Sequence, residues 1–245
     1  LKLEKYAIAV DLGNTYAKTG LFNAAGILQE THGSFTVAEL INYVRAKQPE
    51  RLIISSTGHS EEIVRSWFAF LPATIVWLTP QTPVPLTKLY DTPQTLGADR
   101  VAAAAGARGL FPDQNSLIID MGTCITYDYV DKQDNFHGGL ISPGLRMRFK
   151  AMHSFTQRLP LIEPSQEFPS LVGKSTTHAM QSGVMNGLIA ELQGIIEQYR
   201  RIYPDFQVIL CGGDAPLFES RLKEPIFAAP ELVLWGLYRI LNYNV

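Results

Sequence analysis

The chain has 245 residues, 46% of them hydrophobic and 18% charged, which is enough apolar material for a substantial core. Its formal net charge is −2 and no basic stripe runs through it, so neither nucleic acid nor an anionic membrane is an expected partner. Two cysteines, Cys124 and Cys211, form no framework of bridges, no apolar run approaches the ~18 residues of a spanning helix, and the opening "LKLEKYAIAV" lacks a signal-peptide pattern; a cytoplasmic setting is expected.

In chain order, the first elements are two β-runs inside "AIAVDLGNTYAKTGLF" (Ala7–Phe22), a turn at Asn23–Gly26 and a third strand at Ile27–Thr31. A helix at Val37–Lys47 follows, with Leu40, Ile41 and Val44 at helical spacing. Then come a strand at Arg51–Ser55, a helix at Glu61–Phe70 capped by Ser60, and a strand at Thr74–Leu78. An alanine-rich helix starting at Gly97, "GADRVAAAAGARGLF", closes this half, and Pro112–Ser116 reads as the joint. The second half opens with a hairpin at Leu117–Val130 and a strand at Phe136–Ile141, followed by a helix from about Pro143 and a proline-rich insertion, Pro160–Pro169. It ends with a long helix at Thr177–Tyr203, a strand at Phe206–Leu210, a helix from Asp214, a strand at Ile226–Ala228 and a helix at Glu231–Tyr243.

Three strands in a meander followed by alternating helices and strands therefore occur twice. "AVDLGNT" and "IIDMGTC" share one grammar, an apolar β-run ending in Asp-x-Gly and a small polar residue, so Asp11 corresponds to Asp120 and Gly13 to Gly122. The expected fold class is α/β, with two duplicated domains, 1–114 and 115–245, facing each other across a nucleotide-binding cleft. One isolated Asp-x-Gly turn needs no more explanation than a capped turn with a positive φ. Two copies at equivalent places point to phosphate, which backbone N–H groups approach closely at glycine. The carboxylates of Asp11 and Asp120 would repel phosphate, which implies a cation between them and the nucleotide. Asn14, Thr15, Thr123 and Thr126 add neutral donors, and Lys18 reads equally as a cleft cation or a solvated strand lysine. "LCGGDAPLF" (Leu210–Phe218) is a third loop, whose paired glycines leave room for a flat ligand and whose Asp214 can cap a helix. "VGKST" (Val172–Thr176) imitates the tail of a P-loop, but the required upstream glycine is Phe168. The five histidines have no metal-ligand spacing, and Leu188, Leu192, Ile195, Ile196 and Tyr199 form a helical stripe read as core, with a dimer face as the alternative.

These residues resemble the type III pantothenate kinases, members of the superfamily of acetate and sugar kinases, heat-shock chaperones and actin. "DLGNT" (Asp11–Thr15) resembles that family's first phosphate motif, "DMGTCIT" (Asp120–Thr126) its second, and "GADR" (Gly97–Arg100) its substrate motif. "GGLISPG" (Gly138–Gly144), "GKSTTHAMQSG" (Gly173–Gly183) and "CGGDA" (Cys211–Ala215) resemble, in turn, the loop after the second hairpin, the segment closing on pantothenate and the adenosine motif.

The resemblance implies two ribonuclease-H-like domains in a homodimer and ATP-dependent phosphorylation of the pantothenate 4′-hydroxyl, the first step toward coenzyme A. It also implies Mg²⁺ and a monovalent cation, K⁺ or NH4⁺. On it, Asp99 is the proton acceptor, and Tyr90, Gly97, Ala98, Asp99, Arg100 and Thr176 contact pantothenate. Asp11, Leu12, Gly13, Asn14, Thr15, Tyr16, Ala17, Lys18 and Thr123 contact ATP, Gly212, Gly213 and Asp214 form the adenosine loop, and Asp120 holds the monovalent cation. Cys124 and Cys211 depart from the family pattern by small side chains that preserve shape. Arg100 suits either the substrate carboxylate or the transferring phosphoryl group; without the other motifs, Asp99 and Arg100 would read as a solvated pair. The alternatives are a sugar-type kinase of the same superfamily and a non-catalytic nucleotide-binding regulator.

Overall fold

A computed structural model describes residues 6–13, 16–223 and 225–245. The chain forms two compact units, one comprising residues 1–113, 130–137 and 231–245, the other 114–129 and 138–230.

In the first unit, β1 (Ala7–Leu12), β2 (Ala17–Phe22), β3 (Leu28–Phe35), β4 (Arg51–Ser56) and β5 (Thr74–Trp77) form a sheet in the order β3-β2-β1-β4-β5. β2 runs antiparallel to β1 and β3, while β4 is parallel to β1 and β5. Between β3 and β4 lies α1 (Val37–Lys47), opened by a capping box in which Glu39 N–H donates to the Thr36 hydroxyl and Thr36 N–H to the Glu39 carboxylate. Between β4 and β5 lies α2 (Glu61–Trp67), shorter than expected and capped by Ser60 as the sequence predicts. Ile8, Val10, Leu12, Leu40, Val44, Leu52, Ile54, Val64 and Phe68 fill the core between this sheet and its helices. A short strand the sequence did not announce, β6 (Thr87–Lys88), pairs in parallel with Asn135–Phe136.

The alanine-rich helix, α3 (Ala98–Leu110), is buried from Arg100 to Arg108. Its small side chains let the closing helix of the chain, Leu232–Asn244, pack directly upon it. A Cβ at Gly236 would collide with the Ala102 carbonyl, and one at Gly106 with the Leu232 carbonyl, so the two backbones are in near contact at this crossing. Arg108, 4% exposed, donates to Asp134 Oδ1 at 2.7 Å and to the carbonyls of Phe111, Pro112 and Lys132.

The second unit repeats the plan. β7 (Ser116–Met121), β8 (Cys124–Val130), β9 (Asn135–Pro143), β10 (Gln207–Cys211) and β11 (Ile226–Ala228) lie in the order β11-β10-β7-β8-β9, which is the first sheet's order with β7 in the place of β1. α4 (Leu145–Ser154) follows β9, and α5 (Thr176–Ile202) carries Leu188, Leu192 and Ile196 into the core, with Ile195 and Tyr199 packed at its edge. The stripe is core, as expected. The helix expected from Asp214 is instead a pair of 3-10 turns, Ala215–Leu217 and Glu219–Arg221. Pro216 supplies no N–H there, and the Asp214 carboxylate is held elsewhere instead of capping a helix. No helix among the described residues is long and apolar enough to cross a membrane.

Candidate active site

The first Asp-x-Gly turn joins β1 to β2. Asp11 is the one partly exposed residue near the end of an otherwise buried strand, and the ladder sets it opposite Lys18 on β2 and Ser55 on β4. Directly opposed residues project from the same face, so the Lys18 ammonium belongs on the side of the sheet edge where the Asp11 carboxylate stands. Gly13 N–H donates to the Tyr16 carbonyl at 3.1 Å, and the Leu12 carbonyl accepts from Thr57 N–H at 3.1 Å. Tyr16 is half exposed and Ala17 is buried. Asn14 and Thr15 lie outside the described residues.

In the same unit, the start of α3 carries Gly97 to Arg100 and sets Arg100 beside Tyr90, five of the six residues expected to contact pantothenate. Gly97 is the N-cap, Ala98 opens the helix, and Asp99 lies in the first turn, where an acidic side chain complements the unpaired N–H groups. Asp99 Oδ1 accepts from Arg100 N–H at 2.8 Å. It folds back so closely that a Cβ at Gly97 would stand 2.5 Å from it, and a larger residue there would displace the carboxylate. Arg100 is 5% exposed, with its guanidinium carbon 5.8 Å from the Tyr90 ring centroid and 5.9 Å from that of Phe136. It is not a solvated helix-end charge; buried arginine against aromatic faces is a built feature. Phe136, which completes this cluster from over thirty residues downstream, was not legible in the sequence, where it reads as an ordinary strand apolar.

The second Asp-x-Gly turn joins β7 to β8 in only two residues, Gly122 and Thr123, with Gly122 N–H donating to the Cys124 carbonyl at 3.0 Å. Thr123 is exposed and Asp120 partly so. Two other loops press on this turn. Gly144 N–H donates to the Thr123 carbonyl at 3.1 Å, and a Cβ on Gly144 would strike the carbonyls of both Gly122 and Thr123. Gly212, at φ +91°, passes so near that its Cβ would lie 2.5 Å from Asp120 Oδ1 and from the Met121 backbone. Only glycine fits both that conformation and that space. Asp214 N–H donates to the Met121 carbonyl at 3.0 Å, and among the described residues nothing stands within 4 Å of where a Cβ on Gly213 would be. Thus the predicted adenosine loop and the second phosphate turn are in contact. Thr176 opens α5, exposed, behind the Ser175 cap.

Sequence reasoning missed the side chains that hold these loops. Arg146 donates to Asp214 Oδ1 at 2.6 Å. Glu191, on α5, accepts from Arg148 at 2.6 Å, from the Ser142 hydroxyl at 2.7 Å and from the Tyr127 hydroxyl at 3.0 Å. Burial works to raise the Glu191 carboxyl, but hydrogen bonds from Arg148 and Ser142 outweigh it and hold the group below the usual carboxylate range. Burial, with Glu191 alongside, pushes the Tyr127 phenol up. The one available signal was the pair of arginines in "SPGLRMR", which a sequence reader takes for solvated charges.

The chain matches the family model described as type III pantothenate kinase over residues 7–198. It is 45% identical to a type III pantothenate kinase of Cytophaga hutchinsonii over 240 residues, which cover 97% of this chain and 99% of that one. To one of Bacteroides fragilis it is 42% identical over 238 residues, covering 97% and 98%. Among solved structures it is similar to a putative 2-dehydro-3-deoxygalactonokinase from Sinorhizobium meliloti, with TM-score 0.59, 16% identity and coverage of 97% and 99%. That remote likeness speaks for the fold alone, an α/β architecture built on two sheets of one plan. Matched over most of its length by the family model, and over nearly all of it by relatives well above 30% identity, the chain belongs to the type III pantothenate kinases.

Proposed function

We propose that this chain transfers the γ-phosphoryl group of ATP to the 4′-hydroxyl of pantothenate, with Asp99 accepting the hydroxyl proton. ATP-dependent phosphorylation of pantothenate, the entry to coenzyme A, is the activity of the family to which the chain belongs. The observation that carries the residue assignment is the start of α3, where Asp99, Arg100 and Tyr90 gather around one helix end. A carboxylate placed within hydrogen-bonding reach of an alcohol takes its proton as the new P–O bond forms; positioning and charge stabilisation supply the rest of the rate. The buried Arg100 fits a pantothenate-side role, its planar fork matching a carboxylate.

Asp11, Gly13 and Lys18 from the first turn, Asp120 and Thr123 from the second, and Gly212 to Asp214 beyond it are assigned to ATP; Thr176 is assigned to pantothenate. Carboxylate and backbone oxygens of this kind suit hard cations. Asp11 and Asp120, each the partly exposed carboxylate near the end of a buried strand, fit cations shared with phosphate oxygens. When bound, Mg²⁺ and a monovalent cation held at Asp120 would neutralise charge on the phosphates. A two-domain division near residue 114, with residues 130–137 and 231–245 returning to the first unit, a cytoplasmic setting and a homodimer complete the reading; light scattering that returns a monomer at assay concentration would remove the last.

The test is phosphorylation of pantothenate with ATP in K⁺, NH4⁺ and Na⁺, for wild type and Asp99→Asn. We expect turnover favoured by K⁺ or NH4⁺ and a fall in kcat of about 10²–10⁴-fold in the variant. Undiminished turnover in Asp99→Asn removes Asp99 as the base. Phosphorylation of a hexose without that of pantothenate reverses the acceptor, and nucleotide binding without any transfer would favour a regulator.

A further inference from the structure

α4 starts immediately after Gly144 and sends two arginines to different places. Arg146 and Arg148 are two residues apart, so they leave the helix on nearly opposite sides. Arg146, itself more than half exposed, reaches the largely buried Asp214 carboxylate through a 2.6 Å hydrogen bond, with Glu163 of the proline-rich segment 3.9 Å from its Nε. Arg148 bonds three acceptors at once: Glu191 at 2.6 Å, the Ser142 hydroxyl at 2.9 Å and the Pro143 carbonyl at 2.9 Å. Ser142 and Pro143 directly precede Gly144, whose N–H holds the Thr123 carbonyl. The other end of each chain of contacts is therefore a loop assigned to ATP.

We propose that α4 is a two-armed brace for the nucleotide: Arg148 and Glu191 are positioning residues for the phosphate turn Asp120–Thr123, and Arg146 is the positioning residue for the Gly212–Asp214 loop. The proposal rests on the reading that those two loops hold ATP. The arms differ in what they control. Asp214 is buried and its N–H is tied to Met121, so losing Arg146 strands a carboxylate that must turn toward water, drawing the Gly212–Asp214 loop off its place. That weakens nucleotide binding. Losing Arg148 frees the Ser142–Gly144 segment that fixes Thr123, so the turn holding the reacting end of ATP loosens while the loop assigned to adenosine stays put. That misplaces the phosphoryl group, and small misplacements act on the chemical step.

Four variants and a binding measurement decide it. Arg146→Met is expected to raise KM for ATP about tenfold, the worth of one charge-assisted hydrogen bond, with kcat within about twofold. Arg148→Met is expected to lower kcat about 10–100-fold with KM for pantothenate within about twofold. Arg146→Lys restores KM, because one point charge can meet the single Asp214 contact; Arg148→Lys does not restore kcat, because an ammonium cannot reproduce a fork serving three acceptors. Equal losses at both positions with a lowered melting temperature, or rescue by lysine at both, overturn the brace. If a methionine variant does not fold, Arg146→Gln and Glu191→Gln carry the same comparison. Calorimetric binding of the ATP analogue ADPNP separates the two layers. Tenfold weaker ADPNP binding by Arg146→Met, in a protein that fails to phosphorylate pantothenate, keeps the brace and sinks the acceptor. Unchanged ADPNP binding in an active kinase sinks the brace and keeps the acceptor.

Discussion

The two Asp-x-Gly motifs end strands of one pattern and sit under different enclosure. β1 and β7 have the same burial sequence, four buried residues, a partly exposed aspartate and one more buried residue, and each lies beside a parallel strand, β4 or β10. Even the carbonyl after the aspartate is held alike, by Thr57 N–H in the first copy and Asp214 N–H in the second. The surroundings diverge. In the first copy, four positions separate β1 from β2, and among the described residues a Cβ at Gly13 would meet the Tyr16 carbonyl alone, at 3.2 Å. The second is two residues long, with Gly144 and Gly212 pressed against it from separate loops. Duplication fixes where a loop goes, and the neighbours fix how rigidly it is held.

The largest contrast should come from alanine. Gly212→Ala forces an L side chain to φ +91° and into Asp120 and Met121, and is expected to cost about 2–4 kcal/mol, lowering the melting temperature by roughly 5–15 °C. Gly13→Ala is expected to cost no more than about 1 kcal/mol. Equal melting temperatures for the two variants would break the comparison. Next in size, Asp120→Asn should raise the K⁺ concentration giving half-maximal activity about tenfold or more, while Asp11→Asn changes it little; a titration of activity against K⁺ reads both. Glu191→Gln tests the clamp behind the second turn through pH. The folded-state carboxyl is held below its ordinary range, so its stabilisation is complete above that range and fades as the pH falls through the depressed value. Melting curves should separate wild type from Glu191→Gln by a few degrees at neutral pH and converge in acid. A gap that persists unchanged in acid contradicts the clamp. Smallest of all, Lys18→Met should raise KM for ATP about two- to fivefold if its ammonium serves the nucleotide from across Asp11, and a steady-state titration showing no change would return it to a solvated strand lysine.

Most elements stand where apolar periodicity and turn residues put them. α1 spans the predicted Val37–Lys47, and Ser60 caps α2, because capping and helical spacing are local properties written within four residues. The failures were places where a distant group outbid a local one. Asp214 reads as a helix cap, yet Arg146 takes its carboxylate, Met121 takes its N–H, and the helix becomes two 3-10 turns. β6 escaped notice because two residues carry no periodicity, and Thr87 pairs with Asn135, 48 positions later. The duplicated motif, the Gly97–Arg100 helix start and the family were legible because each is carried by short contiguous patterns.

The sequence by itself determined the two-fold repeat, the Asp-x-Gly turns and the Gly97–Arg100 helix start, since alternation, capping and glycine preference act over a handful of neighbouring bonds. Only the tertiary structure decided that Arg100 is buried against Tyr90 and Phe136, that Gly212 lies on Asp120, and that α4 ties Asp214 and Glu191 to the loops around the second turn. Those contacts join residues tens of positions apart. The packing of the sheets and helices sets them, and nothing in the local chain records which partner each side chain will meet.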